Sequence, residues 1–79
     1  MTSKQQQRVE KCIGPRVVGG HYRSGYWGIT YVVVSIDVGE DSQIPWSDWS
    51  ITERDDADGR IRVHCTAWDT KPGRPDKVL

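Results

Sequence analysis

The stretch Ile29-Thr30-Tyr31-Val32-Val33-Val34-Ser35-Ile36-Asp37-Val38 decides the fold class. Six of its ten residues are Val or Ile, a run too short for a membrane helix and too β-branched for an ordinary one. Read at period two, Thr30, Val32, Val34, Ile36 and Val38 share one face. On the other, Ile29, Tyr31 and Val33 give way to Ser35 and Asp37. The first half reads as covered on both faces and the second half as wet on one.

Working outward, 46–53 alternates with Trp49, Ile51 and Glu53 opposite Ser50, Thr52 and Arg54. The turn Asp55-Asp56-Ala57-Asp58-Gly59 follows, its glycine suited to a positive φ. Residues 60–68 alternate again, predicting Ile61, Val63, Cys65 and Ala67 on the core side and Arg60, Arg62, His64, Thr66 and Trp68 opposite. Upstream, 16–21 is a candidate first strand interrupted by Gly19-Gly20. It leads into the glycine-punctuated aromatic loop Tyr22-Arg23-Ser24-Gly25-Tyr26-Trp27-Gly28. Pro72 and Pro75 end regular structure near 70–75, and 76–79 has room for a last short strand. Val9, Cys12 and Ile13 stand at helical spacing before Gly14-Pro15, so 1–14 reads as an N-terminal arm, flexible or a short helix. The expected architecture is mainly β: one domain over 15–79, a four- to five-stranded antiparallel meander or small barrel.

Seventy-nine residues bury a modest core, about 60% of the unfolded surface. Four tryptophans and no phenylalanine put the large apolar load on indole rings. Trp49, in phase with Ile51, reads as core, and Trp46, beside Pro45, as the more exposed. Two cysteines are too few for a disulfide framework, and no apolar leader opens the chain, so free thiols and a cytoplasmic, non-membrane protein are expected. Cys65 is expected to be shielded and Cys12 accessible.

The pattern Gly25-Tyr26-Trp27-Gly28-Ile29-Thr30-Tyr31-Val32-Val33, followed by a long strand, an acidic loop and a tight hairpin, resembles the early strands of SH3-like barrels of the KOW and Tudor type. The resemblance spans 16–68 and implies a small barrel. The Ala-Leu-Tyr-Asp-Tyr signature of peptide-binding SH3 domains is missing, so it implies no proline-rich ligand.

The chain carries no nucleophile motif, phosphate loop or metalloprotease helix, and no cofactor is implied. Cys12, His21, His64 and Cys65 are metal-ligand types without the close pairing of a structural zinc site. His64 and Cys65, adjacent on a strand, point to opposite faces. The expectation is a non-catalytic binding module engaging a protein partner through Tyr22, Arg23, Tyr26, Trp27 and Trp46. Rings on a glycine loop can anchor a peptide. Self-association through an edge strand is a further expectation. The alternative is nucleic acid held by a stripe of Arg16, Arg23, Arg60 and Arg62, which requires the first strand to lie near the last hairpin strand. Eleven basic and eleven acidic residues leave no net charge to drive it. The charge is nevertheless layered: 1–24 and 60–79 are basic, and 37–58 holds eight acids against Arg54.

Overall fold

A computed structural model describes residues 2–25, 27–68 and 76–79. Helix α1 (Ser3–Ile13) precedes five strands: β1 (His21–Arg23), β2 (Thr30–Val38), β3 (Trp49–Asp55), β4 (Ile61–His64) and β5 (Lys77–Val78). They form one antiparallel sheet in the order β4-β3-β2-β1-β5. The sheet is open: β4 and β5 are its two edges, so the barrel closure implied by the SH3 resemblance is not formed.

The N-terminal segment is a docked helix. Thr2 opens it with a capping box: its Oγ1 accepts from Gln5 N–H while Gln5 Oε1 accepts from Thr2 N–H. Eleven residues are marginal as an isolated helix, so packing must hold it. Val9 supplies that contact, buried in one cluster with Tyr22, Tyr31, Val33, Trp49 and Ile51, with Cys12 and Ile13 packed alongside. Arg8 adds a salt bridge to Asp48 at 2.5 Å. The helix ends at Gly14, as the spacing predicts. A Cβ there would stand 2.8 Å from the Trp68 side chain, so only glycine lets the indole lie this close.

A bulge in β2 changes the expected faces. Val33 pairs with Glu53, but Ser35 pairs with Thr52, so Val34 is the extra residue. The alternation therefore slips by one. Tyr31 and Val33 before the bulge share the helix-side face with Ile36 and Val38 after it, and the single-face set read from 30, 32, 34, 36 and 38 does not form. Across the ladder, Ile36 opposes Ile51 and Val38 opposes Trp49.

The register of β4 inverts its expected faces too. Arg62 pairs with Glu53 and His64 with Ile51, which puts both polar side chains on the helix side. Ile61 and Val63 point to the opposite face and remain exposed. The reason lies in β3, whose helix-side row Trp49, Ile51, Glu53 and Asp55 turns acidic at its end. Cations opposite those acids are worth more there than aliphatic groups.

The first strand starts later than expected, at His21. Gly19 sits in a turn with φ +84° and Arg16 is drawn inward, leaving Val17 and Val18 outside regular structure. On the sheet's far face the β2–β3 connection folds back. Gln43 donates from its amide to Asp37 and Thr52 and from its backbone to Ser50 Oγ, which buries Ser50 and Thr52. Among the described residues no helix is long and apolar enough to cross a membrane.

Candidate functional site

Helix α1 covers only part of the face it packs on. Beside it, on that same face, lies a cavity of about 710 Å³. Its floor runs across three strands: Tyr31 from β2, Glu53 from β3, and Arg62 and His64 from β4. Ser24, Trp27 and Ile29 of the β1–β2 loop form one wall, and Arg16, Thr66 and Asp76 close the other side.

Three hydrogen bonds tie the described ends of the loop that carries Trp27 to one another. Ser24 N–H donates to Ile29 O at 2.8 Å, Gly28 N–H to Ser24 O at 2.9 Å, and Trp27 N–H to Ser24 Oγ at 3.1 Å. Asp76 fastens the loop to the floor. One carboxylate oxygen accepts from Gly25 N–H at 3.0 Å, and the other accepts from Tyr31 Oη at 2.5 Å. Burial, with the Asp76 carboxylate second, pushes the Tyr31 hydroxyl well above its ordinary pKa, so it stays a proton donor.

The floor charges are paired within the site. Arg62 Nη1 donates to Asp55 Oδ2 at 2.8 Å, and this bond, with Ala57 N–H, holds the Asp55 carboxyl below the usual carboxylate range. His64 Nε2 lies 2.9 Å from Glu53 Oε1, and His64 Nδ1 accepts from Thr66 N–H at 3.0 Å. That acceptance requires the Nδ1 lone pair, so the ring proton sits on Nε2 and is donated to Glu53. Both imidazole nitrogens are committed.

Arg16 is buried, 3% exposed, the deepest cation among the described residues. Its Nε donates to Ile13 O and its Nη2 to Cys12 O and Thr66 O, each at 2.9 Å. The first two are carbonyls at the C-terminus of α1, where the helix dipole favours a cation. The guanidinium carbon also stands 5.7 Å from the Trp49 ring centre and 5.8 Å from that of Trp68.

The expected binding residues are therefore dispersed. Trp27 lines the cavity with its side chain largely in solvent, 70% exposed. Tyr22 is a correction: it is core, 3% exposed, with its hydroxyl accepting from Val17 N–H at 2.9 Å, because β1 turns it toward Tyr31 and Trp68. Trp46 is 84% exposed, as its place beside Pro45 predicts, but it does not line the cavity. Arg23 is exposed on β1, and Tyr26 lies outside the described residues.

The basic stripe is not assembled. Arg16 is buried, and β2 and β3 separate Arg23 from the strand that carries Arg62. Arg23 and Arg62 also project from opposite faces. The metal-ligand types are likewise apart. His21 pairs with Asp56 on the far face and His64 with Glu53 on the near one. Among the described residues no group of three or more His, Cys, Asp or Glu side chains converges on a point. Cys12 and Cys65 are both unbridged and both half-buried against the core, so Cys12 is less accessible than an arm position implied.

Sequence reasoning passed over Glu53 and Asp76 as site residues, and weighed His64 only as a metal-ligand type and Tyr31 only as one ring of the aromatic stretch. A signal for Glu53 was present: it stands in phase with Trp49 and Ile51, and an acid on a core row needs a buried partner. Asp76, 45 residues from the tyrosine it meets, carried none. Comparison with protein-family models, curated proteins and solved structures finds no match for this chain.

Proposed function

We propose that this chain is a binding module whose cavity receives an extended segment of a protein partner, with Trp27 as the clamp at its rim. The observation that carries the reading is the placement of an indole, 70% exposed, beside a concave floor of internally paired charges. An exposed tryptophan at the edge of a cavity is the type of side chain that dominates protein interfaces, where it desolvates a partner group at little conformational cost. The cavity falls in the size range of ligand sites.

Binding is favoured over catalysis by the state of the polar groups. His64 has no nitrogen left to take a proton from a substrate without losing the Thr66 contact, and the Tyr31 hydroxyl is held protonated. The pairs Glu53–His64 and Asp55–Arg62 make a preorganised polar floor, against which a partner's amides and side chains find both donors and acceptors.

The test is selection of a displayed random-peptide library on the wild-type chain, with each enriched peptide then titrated against Trp27→Ala and Trp46→Ala. The reading expects peptides that lose at least tenfold in affinity on Trp27→Ala and change little on Trp46→Ala. Enriched peptides that bind the Trp27→Ala chain as well as the wild type, or no enrichment at all, would overturn it.

A further inference from the structure

The cavity floor reaches the open edge of the sheet, and that edge has a defined chemistry. Among the described residues β3 is the sole strand beside β4. Asp55 N–H donates to Arg60 O at 2.9 Å. Hydrogen-bonding positions alternate along an antiparallel ladder, so Arg60, Arg62 and His64 turn their main-chain groups to β3 while Ile61 and Val63 turn theirs outward. Among the described residues no loop or side chain donates to, or accepts from, the main chain of Ile61 or Val63.

The side chains alternate in step. Ile61 and Val63 are 58% and 41% exposed on the far face. Arg62 and His64 line the cavity on the near face, with Arg60 just before them. Arg62 engages Asp55 through Nη1 alone, and Arg60 holds Asp58 through Nε at 3.5 Å, so each guanidinium has further N–H donors to give. An unpaired edge with this row of cations fits a strand of opposite charge pattern.

A second copy is a poor fit. Two β4 strands paired antiparallel about Arg62 would set Arg62 against Arg62, cation against cation, with Arg60 against the N–H of His64. We infer that β4 takes an extended segment of a partner protein as a sixth strand, with acidic residues alternating with β-branched aliphatic ones. Its acids meet Arg60 and Arg62 at the cavity, and its aliphatic residues cover Ile61 and Val63. Backbone pairing supplies the register and the alternation supplies the choice of partner. The inference rests on the cavity being a binding site and adds which segment enters it.

The experiment uses a fluorescein-labelled eight-residue peptide alternating Glu and Val, titrated by anisotropy with the whole chain. Two comparison peptides alternate Lys and Val, or carry N-methyl groups on every second amide of the Glu/Val sequence. Binding of the Glu/Val peptide at least tenfold tighter than either is expected. Val63→Pro removes an outward N–H that the β3 ladder does not use, and Arg60→Glu reverses an exposed charge. Each should cost at least tenfold. If near-UV circular dichroism shows that Val63→Pro does not fold, Arg60→Glu and the N-methyl peptide decide. Equal binding of the Glu/Val and Lys/Val peptides, or indifference to N-methylation, overturns the inference. So does a dimer in sedimentation that Arg60→Glu leaves intact and Val63→Pro abolishes. Library peptides that depend on Trp27 but not on Arg60 or the peptide amides would sink the added strand and leave the cavity reading standing.

Discussion

Replacing Arg16 with methionine tests the packing of this small domain at its most charged point. The side chain makes three hydrogen bonds of 2.9 Å to carbonyls of Cys12, Ile13 and Thr66, and lies between the rings of Trp49 and Trp68. A hydrogen bond to a charged donor contributes roughly 1.5 kcal/mol net at the low end of its range, and a desolvated cation–π contact roughly 1 kcal/mol. Methionine keeps much of the volume and removes the cost of burying a guanidinium, which offsets part of that loss. Cys12 O keeps a second donor, Trp68 N–H at 2.7 Å, whereas Ile13 O and Thr66 O are stripped. The expected loss is about 3 kcal/mol, against a total of roughly 4–12 kcal/mol for a chain of this length. Arg16→Lys keeps the charge without the fork and should lose about 2 kcal/mol. Urea unfolding followed by tryptophan fluorescence reads this directly. With a slope of roughly 1 kcal/mol/M, the Arg16→Met midpoint should fall by about 3 M. A fall of less than about 0.5 M with an unchanged slope would refute the idea that this cation holds the helix end to the Thr66 segment.

Three further expectations follow from the same structure. A Cβ on Gly20 would stand 2.1 Å from Tyr22 Oη, so Gly20→Ala should destabilise by roughly 2 kcal/mol or more, whereas Gly28→Ala, at φ +70° with nothing near its Cβ, should cost about 1 kcal/mol. Thermal unfolding of the two variants ranks them, and equal effects would contradict the close approach. Asp55 is held low by Arg62 and Asp56 by its bond from His21, so both contribute stability above the ordinary carboxylate pKa of about 4 and lose it as pH falls below that value. Asp55→Asn should flatten the acid limb of a stability–pH curve, and a limb as steep as the wild type's would count against the pair. Cys12 and Cys65, both half-buried, should be alkylated slowly and within a few-fold of each other in the native chain, then quickly in urea; rapid native labelling of Cys12 alone would mean that the helix is not docked.

Much of the strand layout is legible in the sequence. Alternation located β2, β3, β4 and the 55–59 turn, and the phase of Trp49 with Ile51 marked both as core. Those are local properties, because a pleated strand shows its period within a few residues. The exposure of Trp46 beside a proline was local as well.

Which face of each strand turns inward was not a local matter. One extra residue at Val34 moves Ile36 and Val38 to the face of Tyr31, and bulges depend on the partner strand rather than on the bulged residues alone. On β4 the aliphatic row faces outward because the acids of β3 lie on the other side. That outcome needs the β3–β4 register. Arg16 read as a surface cation until the helix C-terminus, two indoles and Thr66 were brought round it from three separate segments. The sequence by itself determined where β2, β3 and β4 run and how the charges are layered along the chain. The tertiary structure decided which charges are buried, that the sheet stays open, and that a short helix leaves a cavity beside Trp27. The physical reason is range: alternation and turn chemistry act over a few residues, while burial and charge pairing depend on groups 50 or more positions apart in the chain.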